Sequence, residues 1–364
     1  MTAAASSALR GAAVHLYHNA AVMTRHVPPS REFMERPARI RAVEAALKTS
    51  GLWDACKAVK VTEGLPRTAF VAAYGAETVA SWDAGVAAAV SAGHPVVDDE
   101  CGDIYWSADS LSAISVAAAA SVDAVKAVLR GETDAAFALV RPPGHHCFDL
   151  PAGFCTVNNA ALAAQVAVDA GKRVAIIDWD YHFGDGTAAT FLDNPNVLFT
   201  SLHCFESRAT GWESYPAANP LKGDRLARDT KGRSFNVMWG QDDADDAAVS
   251  YAFEACILPA IRRFRADLVI VSAGYDAIKG DALAGMELTP AVFRTLTASL
   301  KDLGVPVVCI LEGGYDTTLL AAGVVETVQG LCGAADSAGL SATAKDVKAV
   351  HKREVERVAR LIGL

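Results

Sequence analysis

The stretch that most constrains this chain reads Val174-Ala175-Ile176-Ile177-Asp178-Trp179-Asp180-Tyr181-His182-Phe183-Gly184-Asp185-Gly186. A short apolar run opens directly into acidic residues and a histidine, and glycines close the segment, the pattern of a buried strand with polar side chains at its end. In extended backbone, side chains alternate between faces, so the spacing puts Asp178, Asp180 and His182 on one side. Carboxylates with an imidazole are a ligand set that suits zinc and related divalent ions. A strand that merely ends in a polar turn carries the same local pattern, so the remaining sequence decides between the two.

Around this stretch the hydrophobic pattern alternates between strand and helix. Strands are expected at Ala12 to Tyr17, Ala136 to Val140, Val174 to Ile177, Val197 to Leu202, Leu268 to Ser272 and Pro306 to Leu311. Helices are expected from Glu35-Arg36-Pro37 to Leu47, then at Arg67 to Ala73, Ala76 to Val90, Ser110 to Leu129, Asn158 to Ala170, Ala247 to Phe264, Pro290 to Leu303, Thr317 to Leu331 and Ala344 to Ile362. Residues 204 to 233, with Trp212, Tyr215 and Pro216, read as a long irregular loop of the kind that tends to be functional. The alternation predicts an α/β fold: a single three-layer α/β/α domain over residues 12–364 with a mostly parallel central sheet, preceded by a disordered tail, residues 1–11. In open sheets of this type ligands gather at the carboxyl ends of the strands.

Composition narrows the function. The formal net charge of -9 argues against a nonspecific nucleic-acid binder, which needs a basic excess to neutralise phosphates, and suits cationic substrates better. No apolar run approaches the length of a membrane span, so no membrane partner is expected. The eight cysteines are scattered with no CxxC pair, which points to reduced thiols and a cytoplasmic location. The Ala- and Ser-rich segment Met1 to Ala13 reads as a tail, and organelle targeting stays open as its other reading.

Four strand ends carry chemistry: Arg141-Pro142-Pro143-Gly144-His145-His146, Asp178 to Gly186, Gly274-Tyr275-Asp276, and Leu311-Glu312-Gly313-Gly314-Tyr315. With Gly153-Phe154-Cys155 and Asn158-Asn159 between the first two, their order from about residue 12 to 332 resembles the histone deacetylase superfamily of zinc amidohydrolases. The resemblance implies one zinc ion per chain, held by Asp180, His182 and Asp276 with an open position for water and substrate. It implies that His145 and His146 manage protons, that Asp178 and Asp185 orient them, and that Tyr315 hydrogen-bonds the developing oxyanion. It assigns Gly153, Phe154 and Tyr215 to the walls of a narrow substrate tunnel. Asp103, with Asp99 as the fallback, becomes the rim carboxylate that anchors a substrate backbone; a merely solvated acidic loop is the alternative. A potassium ion is implied beside the zinc, at Asp178, Asp180, His182, Ser201 and Leu202.

The expected reaction is hydrolysis of an N-acetyl amide of lysine in a protein or peptide. The same chemistry on acetylpolyamines or other small amides is the alternative, and a homo-oligomer is compatible with either. Leu283 stands where the polyamine-deacetylating branch carries a glutamate, and an apolar residue there favours acyl-lysine or a small amide over an acetylated polyamine. Departures from the family pattern are Phe183 for a histidine, Phe33-Met34 for His-Pro, and Val71-Ala72-Ala73 for Val-His-Ser. Two other classes compete: a two-metal arginase-like hydrolase, which needs a second aspartate where Ile278 stands, and a silent acyl-lysine binder, which would not require the intact His145, His146 and Tyr315.

Overall fold

A computed structural model describes residues 13–204, 234–240, 243–333 and 346–364. Its centre is an eight-stranded sheet formed by β1 (His15–His18), β2 (Lys57–Lys60), β5 (Ala135–Leu139), β6 (Val174–Asp178), β7 (Val197–Cys204), β8 (Ser234–Trp239), β9 (Leu268–Ala273) and β10 (Val307–Leu311). The order is β2-β1-β5-β10-β9-β6-β7-β8, and every pairing is parallel. Parallel strands need covered faces, which is why β5, β6, β9 and β10 are buried throughout and almost entirely apolar instead of alternating, with Asp178 and Ser272 the exceptions near the ends of β6 and β9. The α/β architecture expected from the alternation is therefore the one found.

Helices flank the sheet in packed groups. Ser110–Leu129 lies along Asn159–Asp169, and Thr317–Leu331 packs with both Pro290–Lys301 and Ala38–Thr49. Ser110–Leu129 is apolar and long enough to cross a membrane by length and composition, contrary to the sequence expectation, but 72% of that window is buried inside the protein. Its alanines explain this use: Ala117, Ala118 and Ala120 are fully buried, as are Ala160, Ala163 and Ala164 of the helix beside it, and small side chains let the two backbones approach.

Several elements differ from the expected set. β2, β8 and a short antiparallel hairpin, β3 (Val96–Val97) with β4 (Tyr105–Trp106), were not anticipated. The helix expected over Ala247 to Phe264 contains a π turn at Phe253–Ile257, and the last helix runs Ala349–Leu361. The hairpin anchors a second small core, with Trp82, Trp106 and Phe70, which positions the acidic loop beside the site.

The order of the central strands decides where chemistry can occur. The chain adds β5 on one side of the later pair β10 and β9, and β6 on the other, so these four are consecutive in the sheet. Each is followed by one of the four motif segments. Four loops separated by up to 170 residues of sequence are thus brought to one edge by strand order alone.

A buried ion-pair cluster ties two of these loops to the N-terminal region. Arg141, at the end of β5, donates from Nε and Nη2 to the two oxygens of Glu35 at 2.9 and 2.7 Å, from Nη2 to the Tyr105 hydroxyl at 2.9 Å, and from Nη1 to the His26 and Met23 carbonyls. Arg39 donates to Glu35 at 3.3 Å, to the Gly314 carbonyl at 2.6 Å and to the Glu312 carbonyl. Burial works against the charged carboxylate of Glu35, but Arg141 and Arg39 outweigh it and hold its pKa near 2, below the ordinary 4.5. Its contribution to stability is fully present above pH 4.5 and is lost as pH falls from there through about 2. Replacing Glu35 with leucine would leave two buried guanidinium groups uncompensated, so a urea titration at pH 7 is expected to show a loss of about 3–5 kcal/mol. The difference between wild type and variant should shrink as the titration is repeated toward pH 3.

Candidate metal and catalytic site

β6 ends at Asp178, one residue into the motif. Beyond it the backbone bends: the Asp178 carboxylate accepts from the Asp180 amide at 3.1 Å, and the Asp180 carboxylate accepts from the His182 amide at 2.9 Å. The convergence of Asp180 and His182 thus comes from two successive Asx-type turns and not from strand alternation, which corrects the reading of the segment as extended. The turns are favoured because an aspartate can bond the amide two residues on.

Asp180, His182 and Asp276 each present a ligand atom, all within 4.8 Å of one another. The Nδ1 atom of His182 lies 3.0 Å from Asp276 Oδ2 and 3.2 Å from Asp180 Oδ1. Both carboxylates are fully buried. Burial and the Asp180 charge push Asp276 up to about 7; two carboxylates this close in a dry site are a poor arrangement without a cation and a good one around it. Two glycines make the cradle. A Cβ at Gly274 would meet Asp180 Oδ2 at 1.9 Å, and one at Gly313 would meet both Asp180 Oδ2 and Asp276 Oδ2 at 2.5 Å. The donor set and the space around it fit a divalent metal ion such as zinc, which these three side chains would hold.

The tandem histidines stand beside this cluster. His145 Nδ1 is 2.9 Å from Asp178 Oδ2, and His146 Nδ1 is 2.7 Å from Asp185 Oδ1. The two rings are 4.1 Å apart. Burial disfavours a charged His145, yet Asp180 and Asp178 overcome it and raise its pKa well above 6.5. His146 is lowered instead, by burial and by the neighbouring His145 charge. The two adjacent imidazoles are thereby pushed in opposite directions, the separation expected of groups with different proton-transfer roles.

Tyr315 is buried on the loop after β10, its ring 5.6 Å from that of Phe154. Phe154 has a φ of 65°, a left-handed backbone rare for an aromatic residue, and the turn is fixed by Gly153, whose amide donates to Asp103 Oδ2 at 3.1 Å. Asp103 also accepts from the Cys101 thiol, so it braces the Gly153–Phe154 turn and is more than a solvated loop residue; among the described residues Asp99 takes no such part. Ser201 is the register partner of Asp178 across β6 and β7. Leu283 is half-buried on the segment after β9. Tyr215, the remaining expected wall residue, lies outside the described residues.

Sequence reasoning missed three supports. The Glu312 carboxylate accepts from the amides of Gly144 and His145 at 2.6 and 3.2 Å and from Ser272 Oγ at 3.2 Å, fixing the turn that delivers both histidines. The other two are the Glu35 and Arg39 side chains described above. A charged residue inside an otherwise apolar strand end, as in Leu311-Glu312, was the available signal for the first.

A parallel α/β sheet with a buried Asp/His/Asp cluster and two carboxylate-paired histidines at its carboxyl edge defines the class of a metal-site α/β protein. Comparison with known proteins assigns the family. Residues 33–331 match the histone deacetylase domain, and the chain belongs to the histone deacetylase family. It is 35% identical over 304 residues to Histone deacetylase 15 of Arabidopsis thaliana, covering 82% of this chain and 52% of that protein. It is 38% identical over 235 residues to Polyamine deacetylase HDAC10 of Mus musculus, covering 63% of this chain and 35% of that protein. The crystal structure of the HDA15 HD domain superposes with a TM-score of 0.82 at 30% identity, covering 96% of this chain and 94% of that one. This chain therefore spans about half, or less, of the length of these curated relatives.

Proposed function

We propose that this chain is a zinc-dependent hydrolase that removes an acetyl group from the side-chain amine of lysine in a protein or peptide. The observation that carries the reading is the buried Asp180, His182 and Asp276 cluster flanked by the His145–Asp178 and His146–Asp185 pairs. Those three residues would hold the zinc, which when bound polarises the amide carbonyl and lowers the pKa of a water molecule. With Nδ1 of His146 held by Asp185, its Nε2 would accept a proton from the attacking water and then give it to the departing amine nitrogen. His145, with its Nδ1 on the Asp178 carboxylate, supplies positive charge to the tetrahedral anion. The Tyr315 hydroxyl, held protonated by burial and the nearby Asp276 charge, donates to the same oxyanion. Phe154 lines the approach and excludes water from it.

A potassium ion at Asp178, Asp180, His182, Ser201 and Leu202 belongs to the same proposal. The pairing of Asp178, at the end of β6, with Ser201 inside β7 supports it, since hard oxygen donors suit such an ion.

The second reading is deacetylation of a polyamine, the activity named for the mouse relative. Leu283 argues against it, because an apolar side chain offers no anion to a second ammonium group. Comparing kcat/KM for an acetyl-lysine peptide and an acetylated polyamine tests the choice. The peptide is expected to be the better substrate, and equal or faster turnover of the polyamine would reverse the assignment.

A further inference from the structure

Tyr315 and Leu283 sit on different loops, after β10 and β9 respectively, and nothing in the sequence says what registers one against the other. The excursion after β9 is pinned at its base by a bridge between Ile278 and Leu288, with the Lys279 amide donating to the Leu288 carbonyl at 2.9 Å and the Met286 amide to the Ala277 carbonyl at 3.0 Å. At its tip a single carboxylate spans the gap. Asp281 Oδ2 accepts from the amides of Tyr315 at 2.7 Å and Asp316 at 2.9 Å, while Oδ1 accepts from the amides of Leu283 at 2.9 Å and Ala284 at 3.3 Å. On the other side of the Tyr315 peptide, Arg39 donates to the Gly314 carbonyl.

We propose that Asp281 is a positioning residue that sets Tyr315 against the Leu283 segment by accepting four backbone amides, two from each loop. The proposal rests on the hydrolase reading above. Four N–H donors aimed at one ionised group are charge-assisted bonds, stronger than those to a neutral acceptor and demanding in direction. An asparagine cannot replace the group. Whichever way its amide is turned, an NH2 faces one pair of backbone donors, so one loop loses its acceptor. Misplacement of a reacting group by a fraction of an ångström is enough to slow catalysis while leaving substrate binding largely intact.

The test combines kinetics with hydrogen exchange on the zinc-loaded full chain. Asp281→Asn is expected to lower kcat about 10- to 100-fold, with KM changed far less. Placed in a Tyr315→Phe background, the same substitution should have little further effect on kcat, because the group it positions is gone. Peptides covering residues 281–285 and 313–317 should exchange faster, with the central strands unchanged. Asp281→Glu, which keeps both oxygens but displaces them by one methylene, replaces Asn if that variant does not fold, with the same dependence on Tyr315 expected. Unchanged kcat in Asp281→Asn, or a loss that multiplies fully with that of Tyr315→Phe, would overturn the proposal. If wild-type protein releases no acetate from any substrate, the hydrolase reading has failed, and the exchange measurement alone then decides whether the carboxylate couples the two loops.

Discussion

Purified Asp276→Ala protein is expected to lose its zinc and, with it, hydrolysis. Asp276 is one of three side chains whose ligand atoms cluster within 4.8 Å, and it is the only one contributed by the loop after β9. Loss of a group that merely hydrogen-bonds a metal ligand costs about 10- to 100-fold in metal affinity, so removal of a ligand itself should exceed about 100-fold. Metal analysis after dialysis should give close to one equivalent of zinc for the wild type and a small fraction for the variant. The fold should persist, because alanine also removes one of two mutually repelling buried carboxylates. Full zinc retention by a folded Asp276→Ala protein would sink the ligand assignment, and two equivalents of manganese in the wild type would favour the arginase-like alternative.

The second large effect is expected from Tyr315→Phe. The change deletes one hydroxyl and keeps the ring that packs on Phe154 and lies beneath Arg39, whose guanidinium carbon is 5.1 Å from the ring centroid. Metal content, melting temperature and KM should therefore stay close to those of the wild type. Loss of a single oxyanion donor elsewhere costs about 10²–10³ in kcat, and a drop of that size is expected here. A variant that keeps most of its kcat would remove Tyr315 from the reaction and leave the anion to His145 and the metal.

The legibility of this molecule from its sequence divides along a physical line. Strand β6 and the helices Ser110–Leu129 and Thr317–Leu331 were readable because each is long or strongly apolar and carries its own boundaries. The pairing of His145 and His146 with Asp178 and Asp185 was anticipated from the motif resemblance, and the structure brings those four residues together. The edge strand β2, Lys-Ala-Val-Lys, was not readable, since four residues with a lysine at each end carry no period to detect. The turns after Asp178 were misread as strand because alternating aspartates satisfy both patterns, and only the partners of their carboxylates separate them. The Glu35–Arg141 pair and the Asp281 clamp were invisible for a different reason. They join residues 106 and 34 positions apart, and the pairing exists only once strand order has put the loops side by side.

The two outer strands of the sheet bear on how copies of this chain can meet. A parallel sheet ends in two rows of backbone groups, and each unprotected row is a template for another strand. β2 is short and displays Lys57 and Lys60, whose charges resist an incoming chain. At the opposite margin, the Met238 amide of β8 is already spent on the Glu354 carboxylate of the helix Ala349–Leu361, which also seats His351 against Trp239. The final helix thus works as a bumper along the sheet's rim. Among the described residues, edge-to-edge joining there would first have to peel that helix away.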